Sequence, residues 1–72
     1  MPKRALDLEV LRNGRHWDAF HINGDPADVG AMKDALVGWL AGNKWSPGRW
    51  REFELAVREA GGARVMAKVR AV

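Results

Sequence analysis

The residues that could carry acid–base or metal chemistry are few, and their spacing does not suit it. The 72-residue sequence has two histidines, His16 and His21, and no cysteine. On one regular strand a spacing of five points the two imidazoles to opposite faces, so they are not expected to share a metal ion. Without cysteine the chain also lacks thiolate ligands and disulfides. We therefore predict no metal and no cofactor.

Nucleophilic and phosphate-binding motifs are equally scarce. Ser46 is the one serine of the sequence, and threonine and tyrosine do not occur. Because Ser46 precedes Pro47, it is typical of a turn or a helix cap rather than of a catalytic triad. The pair Gly61-Gly62 lacks the following lysine and helix of a phosphate-binding loop. Five acidic residues are expected at exposed strand positions beside arginine and lysine, which is unlike a general acid, so we expect no enzymatic activity. They are Asp7, Glu9, Asp18, Glu52 and Glu54.

The composition indicates one small globular domain spanning residues 1–72. Hydrophobic residues make up 47% of the chain, and its four tryptophans must supply much of the buried surface. No apolar run is long enough for a signal sequence or a membrane span, so we expect a cytoplasmic protein without membrane contact. The net charge of +3 is ordinary for a small domain. Nucleic-acid binding would require the basic residues to gather on one face.

The first half of the chain predicts a β-hairpin followed by a helix. Residues 4–12 and 15–22 alternate between apolar and polar side chains, and Asn13-Gly14 between them is a strong hairpin signal. A helix over residues 26–42 is expected after Asp25, a good N-cap, because apolar residues then recur at helical spacing. Those residues are Val29, Met32, Leu36 and Leu40.

Two registers are open for this hairpin. A two-residue loop would set Glu9 opposite Asp18, which is a like-charge pair. A three-residue loop (13–15) avoids that pair and buries more apolar surface, so we favour it. It leaves Leu11 and Trp17 together on the outer face of the sheet. Its expected pairs are Leu8 with Phe20, Leu6 with Ile22 and Asp7 with His21.

The second half of the chain is ambiguous between two structures. Residues 50–58 fit a strand that pairs with residues 63–71, or a second helix over residues 47–60 that would give the order ββααβ. The strand is favoured because a loop over residues 60–62 then sets apolar residues opposite one another on one face and acids opposite bases on the other. The expected pairs are Val57 with Val65, Leu55 with Ala67, Phe53 with Val69, Glu54 with Lys68 and Glu52 with Arg70.

These elements predict an α+β fold of order ββαββ, a four-stranded mixed sheet with one helix packed across a face. The first and third strands expose carboxylates, whereas the fourth exposes arginine and lysine. Placing the basic strand between the two acidic ones gives the strand order 2-1-4-3, with the terminal strands parallel at the centre. That arrangement resembles the β-grasp architecture.

Two groups of residues are candidates for partner binding. Three tryptophans occur with Lys44 and Arg49 in residues 38–50, a composition typical of protein-interface hot spots and also of base stacking with phosphate contact. Basic residues also gather at the two hairpin tips, where Arg58 is expected opposite Arg64, a like-charge contact that an acidic partner would relieve. With Lys3 and Arg4 they form a basic set of six; its members at the tips are Arg12 and Arg15 at one, and Arg58 and Arg64 at the other.

The sequence therefore favours a small non-enzymatic module that binds a protein partner, for example a phage or mobile-element effector that contacts a host protein. Nucleic-acid binding through Lys44, Arg49 and the hairpin-tip arginines is the alternative. An outer-face patch of Leu11, Trp17 and Met66 would support a homodimer, and both a monomer and a homodimer are open. The candidate partner-binding residues are Trp17, Lys44, Trp45, Arg49, Trp50, Arg58 and Arg64.

Overall fold

The computed structural model, which describes residues 3–72, confirms an α+β fold with four strands in one sheet and an α-helix against one face. Its strands are β1 (Arg4–Arg12), β2 (Arg15–Gly24), β3 (Phe53–Glu59) and β4 (Val65–Val69). Helix α1 spans Val29–Gly42, and a 3-10 helix over Pro47–Glu52 leads into β3. Apolar side chains from alternate strand positions meet the buried face of α1 in one core. No helix within residues 3–72 has the length and apolar character that crossing a membrane requires.

The strand order is β2-β1-β3-β4, and each neighbouring pair is antiparallel. The two hairpin pairings are confirmed, but the predicted order 2-1-4-3 and its parallel centre are wrong. That prediction assumed that adjacent β1 and β3 would bring carboxylates together. In the observed register Asp7 lies opposite Arg58 and Glu9 opposite Ala56, so the acids of β1 meet a guanidinium and a methyl group. With every neighbour antiparallel, the sheet does not have the β-grasp arrangement.

The first hairpin combines features of both predicted registers. Its body has the favoured register, with Leu8 opposite Phe20. At the tip, however, Arg12 pairs with Arg15 across a two-residue loop whose φ angles, 52° and 81°, are those of a tight hairpin turn. The registers of the body and the tip differ by one residue. That extra residue is Trp17, which has no partner in β1 and forms a β-bulge.

Compared with the favoured register, this bulge changes the face of the sheet on which Arg15, His16 and Trp17 lie. One extra residue shifts the alternation of side chains by one position. Trp17 therefore packs against Phe53 on the helix side of the sheet, and its predicted place beside Leu11 on the outer face is wrong. His16 and His21 both lie on the outer face, and the prediction that they point to opposite faces is wrong for the same reason.

Helix α1 begins later than predicted, at Val29 rather than at residue 26. The Asp28 side chain accepts a hydrogen bond from the Ala31 N–H at 3.0 Å and so caps the helix. Asp25, the predicted cap, instead accepts from the Ala27 N–H in the preceding turn. Three of the four predicted apolar residues are buried, whereas Val29 is 61% exposed in the first turn. The predicted helical face is thus confirmed from the second turn onward.

The second hairpin is confirmed as two strands, with β3 in place of the alternative helix, but its predicted register is wrong. Leu55 pairs with Val69 rather than with Ala67, a shift of two residues that keeps Ala67 and Val69 toward the core. Val65, predicted opposite Val57, lies opposite Arg58 instead, because the register shifts again between Val57 and Arg58. The shift lengthens the connecting loop. It also lets Ala71, beyond the end of β4, reach the core, where it is buried.

Candidate binding site

Aromatic rings and one arginine form a cluster at the end of the sheet where β1 turns into β2. We call it the Trp–Arg cluster; it comprises Arg12, Trp17, Trp39, Trp45 and Phe53. The buried ring of Phe53 lies at its base, with its centroid 5.0 Å from that of Trp45 and 5.6 Å from that of Trp39. Trp17 meets Phe53 at 6.3 Å and Trp45 at 6.0 Å, both nearly edge-on. Tilted and edge-on contacts at these distances are favourable, so the cluster extends the core to the surface.

Arg12 occupies the centre of the cluster. Its guanidinium carbon lies 4.6 Å from the ring centroid of Trp45 and 4.9 Å from that of Trp17, which are cation–π distances. Arg12 Nε donates to Glu52 Oε1 at 2.9 Å, and Glu52 Oε2 accepts from Arg49 Nε at 2.7 Å. These two hydrogen bonds, first the one from Arg12, lower the pKa of the Glu52 carboxyl below its usual value. Glu52 therefore anchors both arginines beside the rings.

Hydrogen bonds also fix the loop that follows α1. The Trp45 N–H donates to the Leu40 carbonyl at 3.0 Å, and Lys44 adopts a φ of 62° where the chain leaves the helix. The Trp50 indole N–H donates back to the Trp45 carbonyl at 3.0 Å. The backbone of Trp45 is thus fixed on α1, and it in turn holds the indole of Trp50.

Trp39 is tied to β2 through Asp18. Its indole N–H donates to Asp18 Oδ2 at 2.9 Å, and Asp18 Oδ1 accepts from the Ala19 N–H at 2.8 Å. These bonds, first the one from Trp39, lower the pKa of the Asp18 carboxyl. The bulge places Trp17 on the helix side of the sheet beside Asp18 and therefore builds this part of the cluster.

The surface around the cluster is basic, and we call it the Trp–Arg end. Trp17 is 48% exposed there, whereas the other tryptophans are partly buried. Six of the twelve basic residues but only three of the nine acidic ones lie at this end, which leaves six of each elsewhere. The net charge of +3 is therefore concentrated here. The basic residues are Arg12, Arg15, Lys44, Arg49, Arg51 and Arg70, and the acidic ones are Asp18, Glu52 and Glu54.

The structure brings five of the seven predicted partner-binding residues to the Trp–Arg end. They are Trp17, Lys44, Trp45, Arg49 and Trp50. Arg58 and Arg64 lie apart from them, toward the loop between β3 and β4. Arg58 is opposite Val65 rather than Arg64, and its Nη1 donates to Glu9 Oε1 at 2.8 Å. The predicted like-charge contact is therefore wrong: the register shift moves Arg64 away from Arg58, and the pairing of β1 with β3 gives Arg58 a carboxylate partner.

The predicted dimer patch does not form. Trp17 belongs to β2 and Met66 to β4, which are the two opposite edges of the sheet. Trp17 also packs on the helix side, away from Leu11 on the outer face. The prediction of one apolar patch from these three residues is wrong, since it assumed a hairpin without a bulge.

Sequence reasoning missed the central role of Arg12. This residue follows Leu6, Leu8 and Val10 at strand spacing, which places it on the buried side of β1. A charged residue that continues an apolar alternation must find a partner when it is buried. That pattern was the available signal, and it indicated that Arg12 needs a partner group on the buried side of β1.

Two histidine–carboxylate pairs lie on the outer face of the sheet. His21 Nδ1 is 2.6 Å from Asp7 Oδ1, as the favoured register predicts, and His16 Nδ1 is 2.8 Å from Glu9 Oε2. Hydrogen bonds from Arg58 and, secondly, from His16 lower the pKa of the Glu9 carboxyl. Across residues 3–72, histidine, aspartate and glutamate side chains form no group of three or more that could hold a metal ion.

The Trp–Arg end offers contact area and charge. A half-exposed indole presents apolar surface, and guanidinium groups donate to carboxylate or phosphate oxygens. Its central ion pairs are anchored within the protein, which leaves the peripheral basic residues to meet a partner. Comparisons of the chain with protein-family models, with curated proteins and with solved structures found no match.

Proposed function

We propose that this protein is a non-enzymatic binding module that contacts an acidic surface of a protein partner through its Trp–Arg end. The observation that carries the proposal is the coincidence of the whole net charge, +3, with the half-exposed Trp17. Tryptophan and arginine are the residues most enriched among those that dominate interface energetics. A basic surface also speeds association with an acidic partner.

Preorganisation of the rings supports the same function. Trp17 rests on Phe53 and Arg12, and Glu52 fixes Arg12. Side chains that are fixed in advance lose less conformational entropy when a partner binds. The exposed part of Trp17 then supplies apolar contact, while the surrounding basic residues supply charge.

Nucleic-acid binding is a second candidate, and one observation favours it. Arg15, Lys44 and Arg51 have no carboxylate within 4 Å in the part of the chain that the structure describes. Their charges are therefore open to phosphate groups. Arg12, however, stacks on the rings of the cluster and reduces the surface open to bases. For this reason a protein partner ranks first.

A photoreactive amino acid introduced at Lys44 tests the proposal in the cells that produce the protein. Lys33 is the matched control, because it is an exposed lysine on α1 outside the Trp–Arg end. Illumination should join the Lys44 variant to one protease-sensitive species, and the Lys33 variant should not give it. Adding Trp17→Ala to the Lys44 variant should remove most of that species.

The alternatives give different products. A crosslinked species that nuclease removes would support nucleic-acid binding instead. Equal labelling from Lys33 and Lys44, or labelling that Trp17→Ala leaves unchanged, would contradict the proposal.

A further inference from the structure

The tip of the first hairpin forms a shallow depression beside the exposed indole. It is lined by Arg12, Asn13, Arg15, His16 and Trp17. Two of its basic residues are engaged already, since Arg12 binds Glu52 at 2.8 Å and His16 binds Glu9 at 2.8 Å. Arg15 is exposed and has no carboxylate within 4 Å among residues 3–72. The depression therefore holds one uncompensated positive charge.

The position of Arg15 is also electrostatically unfavourable. It lies directly opposite Arg12 across the hairpin, and like charges in that arrangement destabilise an antiparallel pair. The Glu52 carboxylate compensates the charge of Arg12, but within the described chain Arg15 has no such contact. A carboxylate supplied by a partner would relieve the repulsion.

We infer that this depression is a carboxylate subsite, in which Arg15 binds an aspartate or glutamate side chain of the partner and Trp17 packs against an apolar neighbour of that side chain. One uncompensated charge matches a carboxylate better than a phosphomonoester, which carries about −1.5 to −2. A guanidinium can bind a carboxylate through two parallel hydrogen bonds. The inference rests on the proposed function and names the chemistry of its partner: an acidic segment with interleaved apolar residues.

NMR titration of the full chain with a blocked hexapeptide of alternating glutamate and leucine tests the subsite. A control peptide has glutamine in place of glutamate. The glutamate peptide should shift the backbone amide of Arg15 and the indole N–H of Trp17, and the control peptide should not. Arg15→Gln should weaken binding about tenfold through loss of a charge-assisted pair. Arg64→Gln, the same charge change at the other hairpin tip, should alter it less than about twofold.

Several results would overturn the subsite. The first is equal affinity of Arg15→Gln and the wild type for the glutamate peptide. The others are equal binding of the glutamate and control peptides, or no shift of the Arg15 and Trp17 signals with either peptide. Stronger shifts of the same signals with inorganic phosphate would assign a phosphate site instead, and displacement of the peptide by a thymidine oligonucleotide would favour nucleic acid. The crosslinking experiment is independent. A Trp17-dependent protein partner together with Arg15-independent peptide binding would remove the subsite and leave the proposed function standing.

Discussion

Arg12→Met removes a charge from the centre of the Trp–Arg cluster and keeps a side chain of similar length. The Arg12 side chain is 19% exposed, and its guanidinium stacks on Trp45 at 4.6 Å and on Trp17 at 4.9 Å. A cation–π contact contributes about 0.5–1 kcal/mol at an exposed site and about 2 kcal/mol when it is withdrawn from water. Methionine retains the packing of the aliphatic stem. We therefore expect the free energy of unfolding to fall by about 1–2 kcal/mol.

Thermal unfolding followed by circular dichroism measures this loss. In a domain of this size each kcal/mol corresponds to about 4–8 °C in Tm, so Arg12→Met should lower Tm by about 4–16 °C. Arg4→Met is the matched control. Arg4 binds Glu59 at 2.7 Å, but the two side chains are 47% and 54% exposed. Since exposed ion pairs contribute about 0–1 kcal/mol, the control should lower Tm much less.

Equal losses of Tm in Arg12→Met and Arg4→Met would refute the reasoning, because Arg12 would then act as an ordinary surface ion pair. Arg12→Lys separates charge from shape. Lysine keeps the charge but lacks the planar guanidinium, which stacks on rings and can form two parallel hydrogen bonds with a carboxylate. The Tm of Arg12→Lys should therefore lie between those of the wild type and Arg12→Met. Full stability of Arg12→Lys would show that stacking is not the cause.

Two further predictions concern stability. The folded-state pKa values of Glu9 and Glu52 lie below their ordinary value of 4.5, so their contribution is complete above about pH 4.5 and is lost as the pH falls through the folded values. Tm should therefore drop on acidification below pH 4.5, and a drop of the same size in the double variant Glu9→Gln/Glu52→Gln would assign it to other groups. Asp28→Ala removes the hydrogen bond from the Ala31 N–H and should lower the free energy of unfolding by about 1 kcal/mol, as measured by thermal unfolding. Asp25→Ala should cost less, and the reverse order would place the helix start at residue 26.

The elements of the fold could be predicted because residues close in sequence determine them. The alternation of β1 at Arg4–Arg12 and the turn that follows are local properties. The bulge at Trp17 is not local, since its indole packs on Phe53 from β3. A regular ladder would have left that ring on the outer face. Burial against a residue far along the chain therefore accounts for the bulge, which neither of the registers predicted from residues 4–22 contains.

The candidate site was predictable only in part for the same reason. The tryptophans and Lys44 in residues 38–50 stand out by composition, and the structure places them together with Arg49. Arg12 joins them only because the tip of the first hairpin lies beside the 3-10 helix, where the Asn13 N–H donates to the Glu52 carbonyl at 2.8 Å. Charge signs on separate strands could not reveal this contact, since they do not fix which residues become neighbours.

Basic charge collects at the end of the molecule where α1 ends. Asp28 caps the N-terminus of the helix, where its dipole favours negative charge, whereas Lys44 and Arg49 follow the helix beyond its last turn, which contains no basic residue. The tip of β1 and β2 lies beside that C-terminus, as the bond from Trp39 to β2 demonstrates. Some of these basic residues contribute to the stability of the fold as well as to the proposed recognition, since Arg12 and Arg49 both bind Glu52. Removing one basic residue from this end changes both, which is why each binding experiment must be read against the same charge change elsewhere.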